Sequence, residues 1–201
     1  MPISCTGARK RGTMRIFKLL PPIVFDTDCL SSFLKVRRPD LITAVLGGSV
    51  LLPEQVVYEL DNLKPTKYAW LPQILEKEIA AGAFQVFRIT ARGAVATEYL
   101  ALIGGKYGKR MGSGEAAALA YVRINGGTIA SNNLSDIAPY CRTHGLEYIS
   151  TDDILCLAVI HGCLDLAQAE TLWMEMKSRR QFLPAYGFSE AYRRFYNNLP
   201  K

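Results

Sequence analysis

No apolar run in this chain approaches the roughly 18 residues of a membrane-spanning helix, and it holds no internal repeat and no low-complexity stretch. A spanning helix and a repeat architecture are thereby excluded, and no membrane partner is expected. The nearest thing to a signal peptide, Ile16 to Phe25, is broken by Lys18, Pro21 and Pro22, which argues against one. Histidine is scarce: His144 and His161 each stand near a predicted helix end with no second ligand at metal spacing, so both read as structural. Cysteine offers no framework either. Cys5, Cys29, Cys141, Cys156 and Cys163 are odd in number, lack paired ligand spacing and mostly sit in apolar runs, which reads as reduced thiols in a cytoplasmic protein.

What is present is a globular composition. Of 201 residues, 49 % are apolar, enough for one domain with a substantial core. Lys plus Arg exceed Asp plus Glu by 24 − 18 = 6, a basic balance that suits polyanions and permits nucleic acid without requiring it. Part of the excess falls before Met14, where Arg9, Lys10 and Arg11 form a loose basic leader (residues 1–20). It reads as an overlong gene start or as a nucleic-acid arm.

Beyond the leader, apolar strands alternate with helical patterns. The expected strands are Ile23 to Phe25, Ser49 to Leu52, Phe84 to Thr90, Thr128 to Ser131 and "LEYIS". Helices are expected at Leu30 to Val36, from Asp40 to Gly47, after Pro53, from Pro72 to Ala81, and at Ala94 to Ile103. A helix "EAAALAYV", apolar nearly all round and hence buried, follows the glycine-rich basic stretch Gly104 to Gly114. Further helices are expected around Asp136 to His144, from Asp153 to His161, from Leu166 to Arg180 and from Phe188 to Asn198. Such alternation predicts an α/β fold, a parallel sheet wrapped by helices.

In a parallel sheet the ligand lies beyond the carboxyl ends of the strands, so acids just after strands are the informative ones. Asp26 ends the first strand, Glu59 lies on the helix after the second, Glu115 opens the buried helix, and Asp136 follows the strand "GGTIAS". Singly, each has a plain account: Asp28 as a helix cap, Glu115 as complement to a helix dipole, Glu59 as a rim residue. Together, four carboxylates at one end of a sheet would repel and raise one another's pKa values unless divalent cations hold them. Oxygen-only ligands select hard ions, Mg²⁺ or Mn²⁺. Asp152 and Asp153 are better explained locally, with Ser150 and Asp153 spaced as a capping box. Trp173, Met174 and Met176 read as core or partner-facing, and Tyr192, Phe195 and Tyr196, interleaved with Arg193 and Arg194, as a stretch that packs on the domain.

The stretches "IVFDTDCLSSFL", "LLPEQVVYEL", "GSGEAAALAYVRINGGTIASNN" and "YISTDDILCLAVIHGCLD", in this order from about Ile23 to about Asp165, resemble the PIN-domain ribonucleases, best known as toxins of toxin–antitoxin pairs. The resemblance implies a three-layer α/β/α PIN-like fold over residues 21–165, with residues 166–201 as a helical extension packed on it. It implies a metal-dependent endoribonuclease that hydrolyses RNA phosphodiester bonds, with Mg²⁺ or Mn²⁺ as cofactor, RNA as substrate, an antitoxin protein as partner and a homodimer as a common state. Its acidic residues map onto Asp26, Glu59 and Glu115, with Asp28 in second place. In the implied reaction one ion lowers the pKa of the attacking water and another steadies the leaving oxygen.

The chain departs from the family at Asn132 and Asn133, where an Asp usually follows the strand. An amide oxygen can coordinate but brings no charge, so Asn133 is expected to be a weaker ligand with Asp136 compensating from the first turn of its helix. "SNNLSD" fits a Ser/Thr-x-Asn-x-x-Asp form of the segment. The expected metal ligands are thus Asp26, Glu115, Asp136 and Asn133. Lys106, Lys109 and Arg110 are candidates for gripping RNA, as is the second cluster Lys35, Arg37 and Arg38, with solvated loop charge as the plain alternative. Two other readings compete. One is a catalytically degenerate PIN-like module that binds RNA or a protein partner. The other is a haloacid-dehalogenase-like phosphatase with Asp26 as nucleophile, which would leave Glu59 and Glu115 unexplained and meets Leu30 where Thr or Val is expected.

Overall fold

Strand and helix alternate along the chain as the hydrophobic pattern predicts. The computed structural model describes residues 19–48, 50–64, 66–179 and 183–197; most of the basic leader, Cys5, Ser49, Arg180 and Asn198 lie outside them. The elements are β1 (Ile23–Phe25), α1 (Thr27–Lys35), α2 (Asp40–Leu46), β2 (Val50–Pro53), α3 (Glu54–Asp61), α4 (Leu71–Ala80), β3 (Phe84–Phe87) and α5 (Ala94–Gly104). They continue with α6 (Ser113–Asn125), β4 (Thr128–Ala130), α7 (Leu134–His144), β5 (Glu147–Ile149), α8 (Thr151–Ile160), α9 (Leu166–Ser178) and α10 (Phe188–Asn197).

The five strands form one parallel sheet in the order β3-β2-β1-β4-β5. Successive strand residues point to opposite faces, and both faces are covered. Ile23 and Phe25 join one core with α1, α2, α4, α8, α9 and α10, while Val24 and Ile129 join the other with α6 and α7. The result is a three-layer α/β/α arrangement. Burial on both sides is why β1 reads as an unbroken apolar run rather than an alternating one.

Helix α6 packs on β1, β2 and β4. Ala116, Ala117, Ala118 and Ala120 are fully buried, and such small side chains let its backbone approach the sheet closely. That brings its first turn to the strand ends. On the opposite face α9 packs on α1 and α8, and α10 on α8 and α9. Trp173 is wholly buried there, its indole N–H donating to the Tyr186 carbonyl at 3.1 Å. Phe188 lies 6.1 Å away between ring centroids. The two C-terminal helices therefore complete the main core. Cys29, Cys141 and Cys156 are buried, and among the described residues no disulfide joins them. Among the described residues no helix is long and apolar enough to cross a membrane.

Several element boundaries differ from expectation by one to three residues. Helix α1 starts at Thr27, three residues early, because the Asp26 carboxylate caps it by accepting from the Cys29 N–H at 2.8 Å. Strand β3 stops at Phe87 rather than Thr90, and Arg88 turns out to Glu54 at 2.6 Å. Helix α7 begins at Leu134 and keeps Pro139 within it. The capping box of Ser150 and Asp153 is present as expected.

Candidate functional site

Asp26 sits at the centre of the sheet's carboxyl edge. Its N–H donates to the Ala130 carbonyl at 2.9 Å, and the Ser131 N–H to Ile149 at 2.9 Å, so the ladder carries one step past each strand. The chain crosses from the β2 side of β1 to the β4 side here, which is where open α/β sheets form a crevice. A cavity of about 220 Å³ opens at this point, lined by Asp26, Asp28, Glu59, Glu115, Asn133 and Asp136, with Thr27 and Gly112 completing the wall. The four acids singled out at strand ends are thus brought to one cavity. Asp152 and Asp153 do not line it: both accept from the Ser150 hydroxyl at the start of α8.

The cavity is electrostatically loaded. Asp26 is 3 % and Glu115 9 % exposed. Burial pushes the Asp26 carboxyl up to about 7, against the Ser131 hydroxyl and Cys29 N–H that hold it down, with Asp28 and Glu115 adding repulsion. Burial likewise raises Glu115 to about 7, helped by Asp136 and Asp28 and eased by the Asn133 side chain. Asp28 is raised too by partial desolvation, with Lys35 opposing and Glu59 assisting. Asp136 alone is lowered, because the Lys109 ammonium bonds both its oxygens, at 2.6 and 2.8 Å.

Glu59 has a second duty that its spacing did not reveal. One oxygen accepts from the Thr27 hydroxyl and the other from the Gly114 N–H at 2.8 Å. It therefore ties α3 to the start of α1 and to the first turn of α6, and so braces the turn that carries Glu115. Gly114 is required by close approach. A Cβ there would stand 2.8 Å from the Thr27 hydroxyl, 3.0 Å from Glu59 Oε2 and 3.0 Å from a methyl of the fully buried Val56. Gly114→Ala is accordingly expected to destabilise the fold by about 1–3 kcal/mol despite alanine's better helix propensity, as read from a denaturant midpoint. An unchanged midpoint would show that the brace yields freely.

The two adjacent asparagines diverge. Asn132 turns away from the acids: its oxygen accepts from the Thr151 N–H at 3.0 Å and its amide donates to the Ser32 hydroxyl at 3.1 Å, joining β4, α8 and α1. Asn133 faces the cavity, donating to Asp136 at 2.8 Å and accepting from the Ser135 hydroxyl at 3.1 Å. Among the basic candidates, Lys109 alone is seen on a cavity acid. Lys106 lies over the Tyr107 ring, and Arg110 packs beside Gly105. In the second basic cluster Lys35 lies over Tyr68, Arg37 over Trp70, and Arg38 pairs with Asp40. Thr27 and Gly114 carry no signal of their own in the sequence, although each adjoins a singled-out acid.

Among the described residues no three His, Cys, Asp or Glu side chains already stand at the spacing of a formed metal site. The donor set nonetheless fits a hard divalent ion. It is all oxygen; Glu115 Oε1 is buried with no hydrogen-bond partner; and the two raised carboxyls would be relieved by a cation. No protein-family model matches the chain, and no curated protein matches it.

Proposed function

We propose that the chain is a divalent-cation-dependent endoribonuclease with a PIN-like fold. The observation that carries the proposal is the convergence of Asp26, Asp28, Glu115 and Asp136 on one cavity at the centre of a parallel sheet's carboxyl edge, with a buried oxygen of Glu115 unpartnered. Asp26, Glu115 and Asp136 would hold the ion, with the Asn133 side chain beside them. An ion so held would acidify a water molecule and offset charge building on a phosphodiester. Glu59 keeps Glu115 in place through α6. Lys109, on a stem 70 % exposed, can exchange the Asp136 carboxylate for a phosphate oxygen of the substrate. The toxin role, with an antitoxin protein and a second copy of the chain as partners, rests on the resemblance of the four motifs.

The test is cleavage of a mixed RNA pool with Mn²⁺, for the wild type beside Glu115→Gln. Cleavage lost in the variant and in chelator supports the reading; equal cleavage by both sinks it. A second reading, a degenerate PIN-like module that binds without cutting, is favoured by the Lys109–Asp136 pair and by the uncharged Asn133. RNA binding without cleavage would select it.

The pair itself makes a prediction. Lys109 competes with any cation for Asp136, and a pair whose ammonium stands mostly in solvent contributes about 0.2–1 kcal/mol. Lys109→Met is expected to tighten Mn²⁺ binding about twofold to fivefold by calorimetry while weakening RNA binding. Looser Mn²⁺ binding would mean that Lys109 positions Asp136 rather than competing for it.

A further inference from the structure

A second cavity, of about 320 Å³, adjoins the acidic one and shares Asp136 with it as a common wall. Its own lining is of another kind: Tyr107, Met111, Pro139, Tyr140, Thr143 and His144. The three rings form a cluster. Tyr107 stands edge-on to Tyr140 with centroids 5.2 Å apart, and His144 lies 4.3 Å from Tyr140 and 6.0 Å from Tyr107. Neither tyrosine is loose, because the two oxygens of Glu98 accept one phenol each: Tyr140 on Oε1, and Tyr107 on Oε2 at 3.1 Å. This carboxylate sets the orientation of both rings before anything binds, and Tyr107 remains 41 % exposed at the rim. Lys109, at the divide, lines this cavity too.

A fixed aromatic cradle beside a cation and an acidic centre suits a ligand with a flat heterocycle at one end and a phosphate at the other. We infer that the Tyr107–Tyr140–His144 cavity is a nucleobase subsite, taking the base of a nucleotide whose phosphate lies at Lys109 beside the acidic cavity. The inference rests on the nuclease reading for the identity of the ligand, but its geometry is separate. Ring faces and edges accept a base by stacking or edge contact. Because Glu98 has already ordered the tyrosines, little side-chain freedom is lost on binding. The hydroxyl of Ser135, also in the lining, and the His144 ring offer polar edges to the base.

The experiment titrates AMP, GMP, CMP and UMP, and ribose 5-phosphate as the handle without a base, into the full chain in chelator by calorimetry. The wild type is compared with Tyr107→Ala and Tyr107→Phe. At least one nucleotide is expected to bind about tenfold or more tighter than ribose 5-phosphate. Tyr107→Ala should remove about tenfold of that, while Tyr107→Phe, which keeps the ring, should stay within about threefold of wild type. Nucleotides binding no better than ribose 5-phosphate would overturn the inference, as would a Tyr107→Ala chain that binds like wild type. Cleavage of RNA with Mn²⁺, measured in parallel on the wild type, separates the two readings. Absent cleavage with base-dependent binding removes the nuclease and leaves the subsite; cleavage without base preference does the reverse.

Discussion

Asp26→Asn is expected to abolish Mn²⁺ binding and to lower RNA cleavage at least about a hundredfold, while making the metal-free protein more stable. The opposed signs follow from one carboxylate with two jobs. As the cap of α1, Asp26 accepts from the Cys29 N–H, and asparagine caps a helix about as well as aspartate. As a buried acid it is held to about 7 by desolvation and by Asp28 and Glu115, so its charged form is a liability to the fold at neutral pH. An amide of the same shape removes that liability. The gain at pH 7.5 is about 1–3 kcal/mol, readable as a higher denaturant midpoint. Alanine would confuse the result, since losing the cap costs about 0.5–2 kcal/mol. A destabilised Asp26→Asn chain, or one that still binds Mn²⁺, would refute this account of the site.

The second large effect is a reversal of pH dependence by metal. Asp26 and Glu115, both raised to about 7, keep protons in the folded chain that the unfolded chain releases near pH 4. With fewer protons on the unfolded state, stability falls as pH rises through that window, from about 4 to about 7. The metal-free protein should therefore melt at progressively lower temperature across it. A bound ion requires the deprotonated acids, so its stabilisation grows over the same range. At an ion concentration a hundredfold above Kd the gain is about 2.7 kcal/mol, or about 5–10 °C for a chain of this size. Thermal scans at pH 5 and pH 7.5, with and without Mn²⁺, read this directly: a shift near zero at pH 5 and of several degrees at pH 7.5. A shift equal at both values would place the ion on groups other than these two.

The fold and the acids were legible because both leave local signals. Strand β1, buried on both faces, is apolar throughout, the helix "EAAALAYV" is apolar nearly all round because it lies on the sheet, and Asp26 directly follows a strand, while Glu59 and Asp136 lie on the helices that follow one and Glu115 opens the buried helix. The spacing of Ser150 and Asp153 likewise encodes a cap within four residues. What escaped was set by partners distant in the chain. Nothing local distinguishes Asn132 from Asn133; the Thr151 N–H, 19 residues on, takes one of them out of the cavity. Glu59 reads as one acid among several until Gly114, 55 residues later, arrives to receive it. The aromatic cavity is assembled by Glu98 from Tyr107 and Tyr140, and each of those rings alone reads as ordinary packing. The start of α1 differs for a local reason instead: the Asp26 carboxylate, read as a ligand, also caps the helix through the Cys29 N–H, so α1 begins three residues earlier than expected.

Strand β1 lies between β2 and β4, and the register sets Ile23 beside Thr128, a neighbour separated by most of the chain that follows it. Closing so long a loop costs chain entropy that only the finished contacts repay. Until that happens Asp26 stands at an open edge, far from Glu115 and Asp136, and water solvates it as it would any surface acid. A chain still emerging from the ribosome thus carries its first acid long before the others. The cavity is therefore a product of long-range pairing: no stretch of the chain shorter than Asp26 to Asp136 can present it.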